Sequence, residues 1–592
     1  MKRWIARNAD PGTLLCRLDE PGGNASFAAS AQKLGIPAAL AGLLWRRGLR
    51  SFPEMNTFLS PLLRYLEPPE NWPGMEEAAL TLVSAIREGR EVLVWGDYDV
   101  DGVTAAALCH EVLRHHNVRV HVHLPDRQTE GYGLNIPALE ACCADGFSRV
   151  LLTVDCGIND TAAVIRAREM GMRVVITDHH LPPEALPPAD AVYNPRLSPE
   201  CPCPCLAGVG VAFFLMARVN ALLSELNGGS PKDMREVLDL VGLGTLADMV
   251  SLTGQNRILA KNGLMKLTEA ARPGIAELKS VSGYDRAAAL GAGQVMFSLA
   301  PRLNAAGRVG TARDAFALLA GTEGTDAAAL AKRLDALNNA RRAEEERIAQ
   351  EAGAQAESLL AAQPDLGGLV VFGEDWHPGV IGIVASRLVE RFYRPALVLC
   401  RMADGTTLKG SGRSVPDFDL HDGLCRCSDL LLGFGGHRQA AGLSMDEALL
   451  PAFRQRFHEV VRELRGEGVF VPSLELDGIL PFSLASDFTF LKSLELFQPF
   501  GVGNPEPVFA SNPLVVRGVR FFGYKREHAT LRVLEPESGI TLPAKLWRHA
   551  AKLPPLAEGQ PLRLAFTAGI NAYNGIASVE LVVKDWSLAE ME

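Results

Sequence analysis

The run GDYDVDG sets three carboxylates, Asp97, Asp99 and Asp101, at alternate positions directly after the apolar run EVLVW. Carboxylates crowded in one place repel unless a cation or a proton joins them, and a divalent metal is the economical answer. Two further runs end the same way: RVLLTVD closes on Asp155, and RVVITDHH closes on Asp178, His179 and His180. Oxygen and imidazole donors without thiolates suit Mn²⁺, the first choice, or Mg²⁺ better than a structural zinc. Asp248 in GLGTLADMV could complete the set, although an isolated Asp at such a place commonly caps a helix. A calcium loop also opens with D-x-D-x-D-G, but its twelfth position must be a bidentate Glu, and here it is Leu108. A solvated acidic turn would explain GDYDVDG alone, but not three junctions of one kind.

These residues need elements that bring them together. EVLVW, VTAAALCHEVLRHH, RVHVHLP, RVLLTVD, DTAAVIRAREMG and RVVITD alternate β-rich with helical runs, which predicts an α/β domain with a parallel sheet. In such a sheet ligands bind beyond the carboxyl ends of the strands, where the acidic residues fall. His115 and His116 end a helix, and His121 and His123 alternate on a strand, so they read as structural. Residues 326–362, nearly free of Gly and Pro, predict a long connecting helix. A second α/β rhythm starts near Gly368, and short strands broken by Gly, Pro and Asn after about residue 471 predict a small β-barrel. The expected organisation is a helical segment at 1–70, the metal-site domain at 71–325, the helix at 326–362, a second α/β domain at 363–470 and the barrel at 471–592.

A chain of 592 residues exceeds one hydrophobic core, and 47% hydrophobic with 22% charged residues is an ordinary folded composition. No signal peptide or membrane span is evident, and eleven scattered cysteines suit a reducing compartment, so a cytoplasmic location is expected. A net charge of −10 gives no overall sign of nucleic-acid binding, which depends on local patches. Cys201, Cys203 and Cys205 in CPCPC could belong to a soft-metal site, but they lack a spaced second pair and their role is unassigned.

In order, DYDVDG, TVDCGI, DHH and GTLADMV resemble the DHH phosphoesterase superfamily. PDRQTEGYGL, PRLNAAGR, WHPGVIGIVASRL, KGSGRS, GFGGHRQAAG and FQPFGVGNPEPVF narrow the resemblance to the RecJ exonucleases over nearly the whole chain. The resemblance implies a DHH domain, a DHH-associated domain and an OB-like barrel, and 5′-to-3′ hydrolysis of single-stranded DNA in recombination and repair. It implies two divalent ions on Asp99, Asp101, Asp155, His179 and Asp248, with Asp97 in or just behind that shell and His180 facing the reacting phosphate. Asp97, Asp155, His179 and His180 would be the catalytic set. Ser411, Arg413 and Ser414 of KGSGRS would hold the terminal 5′ phosphate, and Arg302, Asn304 and Arg308 of PRLNAAGR with His437 would grip the strand.

In the barrel, basic residues interleave with aromatics, which suits tracking a backbone while stacking on bases. Arg517, Tyr524, Arg526 and Trp547 are the leading candidates, and strand alternation places one of Phe521 and Phe522 in the barrel core. A monomer working with a helicase and a single-strand-binding protein is expected from the family. Two alternatives stand beside this: a DHH hydrolase of nanoRNA or cyclic dinucleotides, and a non-catalytic DNA-bound scaffold. The intact ligand set speaks against the second.

Overall fold

The computed structural model describes residues 2–8, 15–19, 25–127, 129–321, 324–466, 470–548, 550–573 and 576–588. The chain forms two compact units, Met1–Asn304 with Ala312–Ala331 and Ser473–Glu592, and Ala305–Thr311 with Lys332–Pro472.

The first unit holds a five-stranded, wholly parallel sheet in the order Val120–His123, Glu91–Gly96, Arg149–Val154, Arg173–Thr177, Ala191–Tyr193. Every residue of Glu91–Gly96 and of Arg149–Val154 is buried, as expected for strands covered on both faces. The three neighbouring strands from Glu91, Arg149 and Arg173 run in register, so Asp97, Asp155 and Asp178 leave the sheet at one edge. Helices Val100–His115 and Gly208–Asn227 pack together on this sheet, and the buried helix Leu238–Ala247 packs against both. Gly208–Asn227 is long and apolar enough to cross a membrane by length and composition, but two thirds of it is buried inside this unit.

In the same unit the strands Leu514–Phe522, His528–Glu535, Ile540–Leu546, Ile576–Leu588 and Pro561–Tyr573 pair in a ring that closes on itself. This is the expected barrel. Leu40, Leu43 and Leu44 of the N-terminal helices share its core with Leu480, Phe490 and Phe566, so that segment is part of the barrel's packing. The N-terminal stretch also contributes a strand, Arg3–Ala6, parallel to Ser473–Leu476. Phe521 and Phe522 both stand outside the core, contrary to the alternation argument. A bulge between Val516 and Gly518 shifts the register, and Leu514 and Val516 fill the interior before it.

The second unit carries a mixed five-stranded sheet in the order Gly433–His437, Ala440–Asp446, Thr407–Arg413, Ala396–Arg401, Leu369–Gly373. Only the last two strands pair in parallel. Helix Ile381–Phe392 and helix Leu450–Arg465 supply apolar faces to two separate clusters. The predicted long helix runs from Ala327 to Ala362.

Buried Asp477 anchors the N-terminal segment to the barrel. Its Oδ1 accepts from Arg7 Nε and from Arg47 Nε and Nη2 at 3.0–3.1 Å, and its Oδ2 accepts from Val508 N–H. Removing one partner of a buried ion pair strands the other charges, so Asp477→Ala should lower stability by about 3–5 kcal/mol. Urea unfolding followed by tryptophan fluorescence reads this, and a loss below about 1 kcal/mol would mean that the cluster is solvated.

Candidate metal centre and substrate-binding residues

The acidic residues meet because of where each element begins or ends. Asp99 caps helix Val100–His115, its side chain accepting from Asp101 and Gly102 N–H. Asp101 therefore sits in the first helical turn. Both of its oxygens are taken by another helix N-terminus, Oδ2 from Gly208 N–H at 2.7 Å and Oδ1 from Val209 N–H at 2.8 Å. Asp155 adopts a left-handed backbone, φ 62°, which turns its carboxylate back over the sheet edge. The helix at Gly208 approaches it so closely that a Cβ there would meet Asp155 Oδ1 at 2.6 Å. Asp248 ends helix Leu238–Ala247 at its C-cap.

His179 Nε2 lies 3.0 Å from Asp155 Oδ1, 3.7 Å from Asp248 Oδ2 and 3.9 Å from Asp101 Oδ2. The Leu206 main chain hydrogen-bonds the same ring, which leaves Nε2 as the nitrogen facing the acids. Potential ligand atoms lie within 4.8 Å of one another in three groups: Asp101 with His179 and Asp248, Asp97 with Asp99 and Asp155, and Asp155 with His179 and His180. The first two groups together contain all six residues expected to bind metal.

Charge in this nest is unbalanced. Burial, then the neighbouring Asp99, pushes the Asp101 carboxyl up to about 7, and burial with Asp101 and Asp99 pushes Asp248 up to about 9. Asp97 and Asp155 are raised well above the carboxylate range, first by burial and then by neighbouring carboxylates. Burial and then the adjacent His180 hold His179 down to about 4, so it is neutral at physiological pH. Four buried atoms, Asp97 Oδ1, Asp155 Oδ1, His179 Nε2 and Asp248 Oδ2, have no hydrogen-bond partner. Unpartnered buried oxygens and an imidazole nitrogen within these groups fit hard divalent cations.

Two residues outside the expected set shape this centre. Asp178 accepts from the N–H groups of Ile158, His179 and His180, and its Oδ1 holds His180 Nδ1 at 2.7 Å. Burial is the largest influence and opposes the His180 cation, but the Asp178 hydrogen bond together with the charges of Asp178, Asp97 and Asp99 outweighs it and raises the imidazole. Tyr132 Oη lies 3.2 Å from His180 Nδ1, and its residue stands in the PDRQTEGYGL motif, the one signal that could have pointed to it. His115, His116, His121 and His123 bond Ser230, Asn220, Glu91 and Glu130 and stand apart from the centre.

The other candidates are more dispersed. Asn304 Oδ1 accepts from Val100 N–H and so joins the acidic loop, whereas Arg302 donates to the Ser298 and Val281 carbonyls. In the second unit Arg308 donates to Gly379 O. Ser411 and Arg413 lie on one strand with Arg413 Nη1 3.3 Å from Ser411 Oγ, against the start of helix Ile381–Phe392. Ser414 Oγ is buried and donates to Phe418 O, and His437 is exposed. In the barrel, fully exposed Tyr524 and exposed Arg526 share a turn, and Trp547 packs on Phe522 and His528 nearby. Arg517 lies at the bulge of the preceding strand. Arg520 and Arg532 line a hollow of about 480 Å³ on that face.

The chain matches the DHH family N-terminal domain at residues 91–245, the DHHA1 domain at 365–463 and the RecJ OB domain at 476–585. It is 37% identical over 568 residues to the single-stranded-DNA-specific exonuclease RecJ of Escherichia coli, covering 93% of this chain and 96% of that one. Its fold matches RecJ of Thermus thermophilus in complex with Mn²⁺, with a TM-score of 0.81 and 31% identity, covering 100% of this chain and 80% of that one. The Mg²⁺ complex of the same protein matches with a TM-score of 0.75 at 30% identity, over 100% and 79%.

The raised carboxyls set a sign for pH. Folded values above the unfolded ones contribute stability that is present at low pH and lost as pH rises through about 7 and 9. The chelated protein should therefore lose thermal stability between about pH 6 and 8.5, and the rise in Tm on adding Mn²⁺ should grow over the same window. Differential scanning fluorimetry with Mn²⁺ against EDTA checks this, and Asp248→Asn should flatten the dependence. A Mn²⁺ increment independent of pH would contradict the assignment.

Proposed function

The chain belongs to the RecJ family of single-stranded-DNA-specific exonucleases, and from that we propose that it hydrolyses single-stranded DNA from the 5′ end by a two-metal mechanism. The observation that carries the reading is the nest of unpartnered carboxylate oxygens and one imidazole nitrogen at three parallel strand ends. Asp97, Asp99, Asp101, Asp155, His179 and Asp248 would hold two divalent ions, Mn²⁺ preferred or Mg²⁺. When bound, such ions lower the pKa of water and stabilise charge on the phosphoryl oxygens.

The protein's own groups have separate tasks. Asp97, Asp101, Asp155 and Asp248, all with raised carboxyls, must lose protons for the site to load. Neutral His179 offers a lone pair. His180, its imidazole raised by Asp178 and nearby acids and its Nδ1 held by Asp178 and Tyr132, would donate a hydrogen bond to the reacting phosphate. In the second unit the Arg413 guanidinium and Ser411 hydroxyl suit a terminal 5′ phosphate, with Ser414, Arg308 and His437 on the same unit, while Arg302 and Asn304 belong to the first-unit side of the motif. Tyr524, Trp547, Arg517 and Arg526 would take the single strand by stacking and charge, without reading sequence. We extend the proposal to a cytoplasmic monomer acting in recombination and repair with a helicase and a single-strand-binding protein.

The test is release of label from 5′-labelled and 3′-labelled single strands, beside a blunt duplex, with Mn²⁺ or EDTA. Metal-dependent early release from the 5′ label alone, with the duplex spared, is expected. Turnover of dinucleotides without cleavage of DNA would overturn the reading. Asp155→Ala should abolish cleavage while single-strand binding persists, and Asp178→Asn, which acts through His180, should cost about 10–100-fold. Arg413→Ala should mainly remove the preference for a phosphorylated 5′ end; equal loss on both kinds of end would refute the phosphate assignment.

A further inference from the structure

The CPCPC stretch is not used by the mechanism, yet it leads directly into the turn that shapes the metal centre. Cys203 O accepts from Leu206 N–H, and Leu206 bonds the His179 ring. Two residues later Gly208 and Val209 hold the Asp101 carboxylate, and Gly208 lies against Asp155. Asn256, fully buried, fastens the same turn by donating to Cys205 O at 2.6 Å and to Ser251 O, just past Asp248. Movement of residues 203–206 is therefore felt at Asp101, Asp155 and His179 together.

Cys203 Sγ and Cys205 Sγ are 3.7 Å apart. Cys203 is buried, and Cys205 is partly exposed. The third thiol of the stretch turns elsewhere, Cys201 Sγ lying 4.0 Å from Tyr193 Oη. Among the described residues, no group of three ligand atoms within 4.8 Å includes these cysteines, so a soft-metal site is not supported.

We propose that Cys203 and Cys205 are an oxidisable pair, and that joining them as a disulfide suppresses the hydrolytic centre by displacing the turn that seats Asp101, Asp155 and His179. This rests on the metal-centre reading above. The oxidant class is a hydroperoxide. Cys205 thiolate attacks one peroxide oxygen; an S–O bond forms, the O–O bond breaks, and the departing hydroxide takes a proton to leave as water. Cys203 then loses its proton and attacks the Cys205 sulfenic sulfur; the S–S bond forms, the S–O bond breaks, and a second water leaves. Two thiols lose two electrons, and the peroxide is reduced to water. Cys205 suits the attacking role, because the hydrogen bond from Cys203 holds its thiol down to about 6 and Arg196 adds positive charge nearby. A disulfide is about 2.05 Å long, so the sulfurs must close by more than an ångström, with Pro204 between them restricting how the backbone yields.

The experiment treats the full chain with hydrogen peroxide in EDTA, removes the peroxide with catalase, and then adds Mn²⁺. Three readouts are taken: peptide mapping of thiols and disulfides, the Mn²⁺-induced rise in Tm, and cleavage of 5′-labelled single strands. The expected result is a Cys203–Cys205 disulfide, a smaller Mn²⁺ increment and a roughly tenfold to hundredfold slower cleavage, all restored by dithiothreitol. Cys203→Ser and Cys205→Ser should keep basal activity and lose the response. Absence of the disulfide would overturn the proposal, as would a disulfide that leaves both metal response and cleavage unchanged. Inhibition that persists in both serine variants would also overturn it, by placing the effect on another thiol such as exposed Cys16 or Cys425. If the untreated chain cleaves no DNA, the function reading fails, and the mapping and Mn²⁺ increment still decide the thiol pair.

Discussion

The structure turns on a concentration of buried negative charge. Two unit charges about 4 Å apart repel by about 4 kcal/mol even at an effective dielectric constant near 20. Asp101, Asp155 and Asp248 crowd to such distances around His179, and Asp97 crowds with Asp99 and Asp155 beside them. The fold relieves part of this with its own dipoles. The N-terminus of the Gly208 helix takes Asp101, and the amides of Ile158, His179 and His180 take Asp178. What it leaves unrelieved are the oxygens of Asp97, Asp155 and Asp248, with the His179 nitrogen among them. That remainder has the charge and the donor chemistry of a divalent-ion site, and the local backbone is arranged around it. A non-glycine residue in left-handed conformation, as at Asp155, costs about 1–3 kcal/mol and persists only where its surroundings enforce it.

Much of this was legible in the sequence because it follows from strand ends. The β-rich runs before Asp97, Asp155 and Asp178 needed only parallel, in-register pairing to bring those residues to one edge, and the long helix was plain from the absence of Pro and the presence of a single Gly, Gly353. Asp248 was less legible. It lies at a helix C-cap far along the chain, and only tertiary packing of Leu238–Ala247 on the Val100 and Gly208 helices brings it in. The amides of Gly208 and Val209 were illegible for a related reason, because a main-chain N–H carries no pattern until the elements are assembled, and Tyr132 was marked only by its motif. Arg302 shows a further limit, since the PRLNAAGR motif gives no sign that its guanidinium also donates to the Ser298 and Val281 carbonyls. The two phenylalanines at 521 and 522 could not be sorted by alternation, because one bulge upstream resets which side of the strand each residue faces.

The barrel adds a constraint that domain boundaries drawn along the sequence conceal. Its core is completed by the N-terminal helices, and its rim is tied to the metal-site domain by Arg257. That guanidinium donates to the carbonyls of Phe58, Leu496 and Gln498 and lies over the Phe58 ring at 3.8 Å. One buried side chain thus joins the N-terminal segment, a helix of the parallel-sheet domain and the barrel. The exposed aromatic turn around Tyr524 projects from this tied body, with its bulkiest ring fully in solvent. A ring as exposed as Tyr524 buries no area in the core, whereas stacking on a base is worth about 1–3 kcal/mol. The barrel core takes in Phe490, Phe509 and Phe566 beside its aliphatic residues yet leaves Phe521, Tyr524 and Trp547 exposed, which supports the proposal that this surface takes a ligand with flat faces. Because the barrel belongs to the same compact unit as the carboxylate nest, a strand held there is held by the body that carries the hydrolytic residues.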